Sequence, residues 1–257
     1  MAQALPIFPL NTVLFPGVNV PLHVFEPRYR RLVSELLGPT LTRGELAGRD
    51  RSPRRFGVVW IELGHEVAAT SSAQSTENPV GAPTLGGDVR LPRVSATGCT
   101  ALVRNVRTYD DGRYDLVVEG GTRFTVEDLS EVDASSPDVY PTASVSFLPE
   151  GVGPDADEHA ERVRALFEVY RERLSAAGLS PGTFVDPPKD PIPLSYALSE
   201  AVVLDQAEKQ RLLEAEDAAT RLAVLARFLR RENRIVHTPT LNTLPAGPFL
   251  NNGVSFN

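Results

Sequence analysis

Cysteine is almost absent from this 257-residue sequence, with Cys99 standing alone. An intramolecular disulfide and a cysteine-based zinc site are both excluded. Lysine is nearly as scarce: Lys189 and Lys209 are the only two, and the formal net charge is -7. A phosphate backbone is held by cation density, so an acidic chain without a lysine and arginine block is a poor nucleic-acid binder. The nearest approach to a basic patch is Arg28, Arg30 and Arg31, with Arg49, Arg51, Arg54 and Arg55 further on. These lie among Glu26, Glu35 and Glu45, the pattern of mixed, solvated surface charge. No apolar run approaches the roughly 20 residues needed to cross a bilayer. Nor does Met1-Ala2-Gln3-Ala4 carry the basic flank and apolar stretch of a signal peptide. These absences predict a cytoplasmic protein that engages neither membrane nor nucleic acid.

Catalytic signatures are missing as well. A nucleotide-driven unfoldase needs a glycine-rich phosphate cradle ending in Lys-Ser or Lys-Thr, and neither lysine sits in one. Lys209 has Asp205, Glu208 and Arg211 about it, which predicts a solvated salt bridge. The four histidines, His23, His65, His159 and His237, are scattered. His23 and Glu26 fall at a strand-to-helix corner, not at the helical spacing of a zinc metalloprotease, so His23 reads as structural. No Gly-x-Ser-x-Gly elbow occurs, and Ser34 and Ser199 lie in predicted helices without a histidine close in sequence. A hydrolytic triad assembled only in three dimensions stays open as an alternative. No cofactor and no metal is expected.

What is present is a change of period along the chain. Hydrophobic residues make up 42% of the sequence, enough for a well-buried core at this length. Residues 5–148 show short apolar runs with β-branched positions. The candidate strands are Ile7–Leu10, Val18–Val24, Phe56–Leu63, Thr97–Tyr109, Tyr114–Gly120, Thr122–Asp128 and Ala143–Leu148. Asp111-Gly112 predicts a hairpin, because the pair supplies the positive φ of a tight turn, and Gly120-Gly121 predicts a second reversal. One helix interrupts the strands, opened by Pro27 and closed by Gly38-Pro39, with Tyr29, Leu32, Val33, Leu36 and Leu37 inward. Residues 40–54 and 64–93 read as irregular, the second as a long mobile loop. From Pro154 the period becomes helical. Val163, Leu166, Phe167, Tyr170 and Leu174 line one helix that ends at Gly178. After a proline-rich connector, Ser195 is the expected cap of a helix to Leu204, Asp205 of the next, and Leu222, Leu225, Phe228 and Leu229 line the last. The predicted division is a β-rich unit over 1–150, a helical subdomain over 151–235 and an extended tail over 236–257.

Three segments carry a resemblance. The first runs Leu5-Pro6-Ile7-Phe8-Pro9-Leu10 to Phe15-Pro16-Gly17, continuing as Pro21-Leu22-His23-Val24-Phe25-Glu26-Pro27-Arg28-Tyr29. The second runs from Gly98-Cys99-Thr100 through Asp111-Gly112-Arg113 to Gly120-Gly121-Thr122-Arg123-Phe124. The third is the leucine-rich stretch Asp205 to Glu232. Together they resemble the amino-terminal substrate-recognition domain of Lon proteases over residues 5–232, and the His-x-Phe-Glu-Pro-Arg-Tyr form looks like the family's stand-alone members. Prolines at 6, 9, 16 and 21 suit edge strands and corners, where a missing N–H is harmless. The resemblance implies an α+β architecture: a PUA-like twisted β pseudo-barrel with one inserted helix, followed by a C-terminal α-helical bundle. It also implies a groove that holds unfolded or degron-bearing polypeptide. Pro188-Lys189-Asp190 to Ser195 is superficially similar to the Lon peptidase serine motif, but its spacing is two residues off and Lys189 is too near in sequence to be the distal base.

The reading that follows is a non-catalytic polypeptide-binding module, an adaptor or holdase in protein quality control working with a separate protease or chaperone. Phe15, Phe25, Glu26, Arg28, Tyr29 and Trp60 are the candidate substrate-binding residues, because unfolded chain is recognised by burying its side chains. Phe56, Phe124 and Phe147 are expected in the core. Arg28 and Arg123 are candidate structural ties to Glu26 or Glu119. The tail, with Leu241, Leu244, Phe249, Leu250, Val254 and Phe256, is expected to lie in part along the β unit, its own or a neighbour's, in imitation of a bound peptide. The rival readings are a hydrolase, a PUA-like RNA-binding module, which needs a continuous cationic face, and a small-molecule receptor, which needs an aromatic cage.

Overall fold

The computed structural model describes residues 2–38, 55–63, 93–130, 138–179, 186–236 and 255–256. The loops read at 40–54 and 64–93 lie outside the described residues apart from Arg93, and so do residues 237–254 of the tail. What is described is a mixed α/β fold with one eight-stranded sheet and five helices.

Strand β1 (Gln3–Leu10) divides its pairing. Its first half lies antiparallel to β7 (Thr142–Phe147), and Ile7–Leu10 run parallel to β3 (Arg55–Leu63). This places β1 inside the sheet and not at its edge. Each half has one registered partner, so Pro6 and Pro9 each have a side that calls for no ladder N–H. Strand β3 also pairs with the two-residue β4 (Arg93–Val94) and with β5 (Thr97–Thr108). Strand β5 pairs with β6 (Tyr114–Leu129), and β6 with β7. The pairings of β1, β3, β5, β6 and β7 therefore close a ring. Outside it, β2 (Asn19–Val24) lies antiparallel to β6, and β8 (Ser255–Phe256) lies parallel to β2.

The Asp111-Gly112 hairpin forms as its turn chemistry demands, with Gly112 at φ 80°. Gly120-Gly121 is different: β6 runs straight through it, and no reversal occurs. A Cβ on Gly120 would stand 2.0 Å from the carbonyl oxygen of Phe15, so this glycine serves close backbone approach. The β1–β2 connection is hydrogen-bonded on to it, from Gly17 N–H to the Gly120 carbonyl at 2.8 Å.

Helix α1 (Pro27–Leu37) starts at its proline and ends at Gly38. It buries Tyr29, Leu32, Val33 and Leu37, each worth roughly 1.5–3 kcal/mol if fully withdrawn from water. They join Phe8, Leu22, Val24, Leu116 and Val118 in one cluster, with the Tyr29 ring stacked on Phe8 at 4.0 Å. The expected core phenylalanines Phe56 and Phe124 are fully enclosed, while Phe147 is half-buried.

Helices α2 (Ala156–Ala176), α3 (Pro191–Ala201), α4 (Gln206–Glu214) and α5 (Ala218–Val236) share a second cluster. Val163, Phe167, Tyr170, Leu222, Leu225 and Leu229 fill it. Helix α3 begins four residues before the expected cap. Asp190 precedes it, and Pro191 sits in a first turn that needs no amide donors. Ser195 is therefore not a cap but a buried helical residue, donating to the Ile192 carbonyl at 2.7 Å. Asp205 does cap α4, accepting from the Glu208 N–H at 2.8 Å. Lys209 is paired, as charge spacing suggests, but with Glu200 at 2.9 Å and almost wholly buried, so the bridge is not solvated.

Val13 and Phe15, from the β1–β2 connection, enter the helical cluster, as does the half-buried Trp60. Arg123 forms the polar joint between sheet and helices. It is 1% exposed and pairs with Glu150 at 2.8 Å, while Glu119 is taken by Arg104 at 2.6 Å. Glu150 also accepts from the Tyr196 hydroxyl. Arg221 lies over the Tyr196 ring at 3.9 Å, and burial pushes its guanidinium down to about 10.

Candidate functional site

Strands β2, β6 and β5 lie side by side, and residues directly opposite in a ladder share a face. Pro21 faces Val117 and His23 faces Asp115 across β2 and β6. Val117 in turn faces Asn105, and Asp115 faces Arg107, across β6 and β5. These six side chains line a concavity of about 300 Å³, backed by Leu22 and Leu116. The alternate residues Leu22 and Leu116 turn inward and are 2% and 1% exposed, so register is fixed by the core beneath. Val117, at 37% exposure, is an apolar side chain left on the open face.

The polar side of this concavity is organised about Asp115. Its Oδ1 lies 2.6 Å from His23 Nδ1, and its Oδ2 accepts from the Tyr109 hydroxyl. These two hydrogen bonds, the His23 one first, hold the Asp115 carboxyl below the usual carboxylate range. In a neutral ring, Nδ1 then carries the proton and Nε2 is the basic nitrogen. The Tyr109 ring packs edge-on to His23 and lies beneath the Arg107 guanidinium at 5.1 Å.

A histidine oriented by a carboxylate is half of a hydrolytic triad. The other half needs a nucleophile within hydrogen-bond reach. No serine, threonine or cysteine is among the described residues that line this concavity. Cys99 is buried in apolar surroundings that push its thiol up, which disfavours a thiolate. Among the described residues no group of three or more His, Cys, Asp or Glu converges as metal ligands would. None of the described helices is long and apolar enough to cross a membrane.

The six residues singled out from sequence separate. Phe15 is fully buried, its ring 6.2 Å from that of Tyr196 in the helical cluster, and Tyr29 is fully buried against Phe8. Phe15 fills a core position where sequence shows only an aromatic, and Tyr29 lies inward as the spacing of α1 predicts. Glu26 and Arg28 pair at 2.8 Å, and the Arg28 guanidinium sits over the Tyr29 ring at 4.7 Å, so they tie the β2–α1 corner. Trp60 packs on the helical side and lines no part of the concavity. Phe25 does not line the concavity but packs beside it, half-buried, with its ring 6.2 Å from that of His23. Sequence reasoning passed over Asn105, Arg107, Asp115 and Val117. Counting outward from the Asp-Gly turn would have paired Arg107 with Asp115, but no local signal brings β2 beside them.

Comparison with known proteins agrees with this fold. A family model described as the ATP-dependent protease La (LON) substrate-binding domain matches residues 4–231. The chain is similar to the Lon protease of Parabacteroides distasonis, at 25% identity over 248 residues covering 92% of this chain and 25% of that protein. It is also similar to Lon protease 2 of Sorangium cellulosum, at 28% identity over 245 residues covering 91% of this chain and 25% of that protein. The chain thus spans about a quarter of the length of the curated relatives it matches. The crystal structure of a Lon N-terminal domain protein from Xanthomonas campestris is similar with a TM-score of 0.53 at 23% identity, covering 88% of this chain and 98% of that one. The N-terminal domain of Mycobacterium avium complex Lon protease gives 0.57 at 17% identity, covering 89% and 98%. At such identities the structural likeness speaks for the fold alone. The family match extends from β1 into α5, and on that extent the chain belongs to the Lon protease substrate-binding domain family.

Proposed function

We propose that this chain is a non-catalytic polypeptide-binding module and that it grips its client on the concave face of β2, β6 and β5. One observation carries the reading: an exposed valine and proline stand among hydrogen-bonding groups on a concave face bounded by a sheet edge. Such a surface can bury a client side chain and bond its backbone. The family's description as substrate-binding in a protease supports polypeptide as the ligand class. Phe25 belongs to the site as its aromatic flank, and Glu26 with Arg28 fixes the corner from which it projects.

We read the closed ring over residues 1–150 as a PUA-like barrel and residues 151–235 as its helical subdomain. The protein then works in the cytoplasm as an adaptor or holdase, delivering client to a separate protease or chaperone. The net charge of -7 supports protein rather than nucleic acid as the ligand.

The test is fluorescence anisotropy with a labelled, permanently unfolded polypeptide, using the full chain and Val117→Asp. The native chain binds, and the variant weakens binding by about tenfold at unchanged melting temperature, because a charge replaces an exposed apolar contact. Equal affinity of the two proteins, or no binding by the native chain, overturns the assignment.

A further inference from the structure

The sheet can still grow at one place beside the concavity, the outer edge of β2. Its inner edge is paired with β6 at all six positions from Asn19 to Val24. On the outer edge only Leu22 and His23 are registered, with Ser255 and Phe256 of β8, and that pairing is parallel. Asn19, Val20, Pro21 and Val24 have no strand partner on this side among the described residues. Pro21 is tolerated at such an edge, and an added strand gains no bond from its nitrogen, so the other edge positions carry the pairing. A two-residue parallel pairing is a short contact, and parallel ladders are slightly weaker per residue than antiparallel ones. A longer extended segment pairing along more of β2 would compete with it for this edge.

We propose that client polypeptide binds by adding to β2 as an extended parallel strand, and that residues 255–256 hold the same edge when no client is present. The chain thereby competes with its own client. This mode rests on the polypeptide-binding reading above. Registered residues share a face. The client residue opposite His23 therefore lies on the concave side with Val117, and the residue opposite Leu22 lies on the core side. Main-chain bonds supply affinity that is indifferent to sequence, and the concavity adds a preference for an apolar side chain at every second position. A receptor for unfolded chain needs that division of labour.

The experiment uses the full chain and the double variant Ser255→Pro/Phe256→Pro, which removes two backbone donors from β8 and leaves β2 and the concavity intact. The probe is a labelled short peptide of alternating valine and serine, with two further versions N-methylated on odd or on even amides. The double variant binds the plain peptide about fivefold more tightly than the native chain, because the fraction of open edge rises. One methylation pattern weakens binding by about tenfold and the other far less, since only one edge of an added strand is bonded to β2. Equal loss, or no loss, from the two patterns overturns strand addition while the binding module stands. Unchanged affinity in the double variant overturns the competition. Failure of both proteins to bind the plain peptide overturns this proposal together with the reading on which it rests.

Discussion

The guanidinium of Arg123 donates to the carbonyl oxygens of Leu213 and Ala215 at 2.7 and 2.6 Å, so a side chain of β6 closes the C-terminal end of α4. Helix ends leave carbonyls without intrahelical partners, and a buried cation needs acceptors; each requirement meets the other here. Removing the cation takes this donor from the Leu213 carbonyl and leaves Ala215 with Arg221 and Glu150 with the Tyr196 hydroxyl. Arg123→Met is expected to lose about 3–5 kcal/mol of stability in urea denaturation. A loss within experimental error would show that the joint between sheet and helices is held by apolar packing alone.

Gly120 and Gly17 separate two uses of glycine. Gly17 sits at φ 75° with nothing within 4 Å of an added Cβ, so Gly17→Ala costs only backbone strain, about 1 kcal/mol. At Gly120 the added carbon meets the Phe15 carbonyl at 2.0 Å, and the β1–β2 connection has to move. Gly120→Ala is expected to cost more than twice as much, about 3 kcal/mol, read from thermal unfolding of the two variants. The reverse order would contradict the close approach of the Phe15 carbonyl to Gly120.

Asp115 gives a pH dependence with a definite sign. Its folded carboxyl is held low by hydrogen bonds from His23 and Tyr109, so the ionised form is favoured by folding. The stability this contributes is present above the unfolded value, about 3.9, and is lost as pH falls through the lower folded value. Melting temperatures of the native chain and Asp115→Asn are expected to differ most above about pH 5, and the gap to narrow as pH falls below the unfolded value, about 3.9. A gap that is the same across this range would remove the carboxylate from the account.

The Asp205 cap is a local contact. Asp205→Ala leaves the Glu208 N–H without its acceptor and is expected to cost about 1 kcal/mol in chemical denaturation, with no change in polypeptide binding. A change in affinity would tie the helical part to the site.

Elements with a steric or capping cause were legible in sequence: α1 between Pro27 and Gly38, the hairpin at Gly112, α4 behind Asp205. Ambiguity arose where one residue type serves two ends. Glycine at 120 could mean a reversal or a close approach, and only the position of Phe15 decides. Pro191 could mean a connector or the first turn of a helix. Phe15 was legible as an aromatic but not as core, since burial depends on what packs over it, whereas helical spacing already turned Tyr29 inward. The concavity was the least legible feature, because His23 and Asp115 stand 92 residues apart and meet only through the β2–β6 pairing.

Amide hydrogen exchange, measured on the full chain with and without a saturating unfolded peptide, tests the location of binding most directly. Protection is expected to rise across Asn19–Val24 and at Asn105–Arg107 and Asp115–Val117, with α2 and α5 unchanged. Protection that appears along the helices, or leaves β2 as it was while peptide is bound, would contradict the assignment of this face as the place where the chain holds its client.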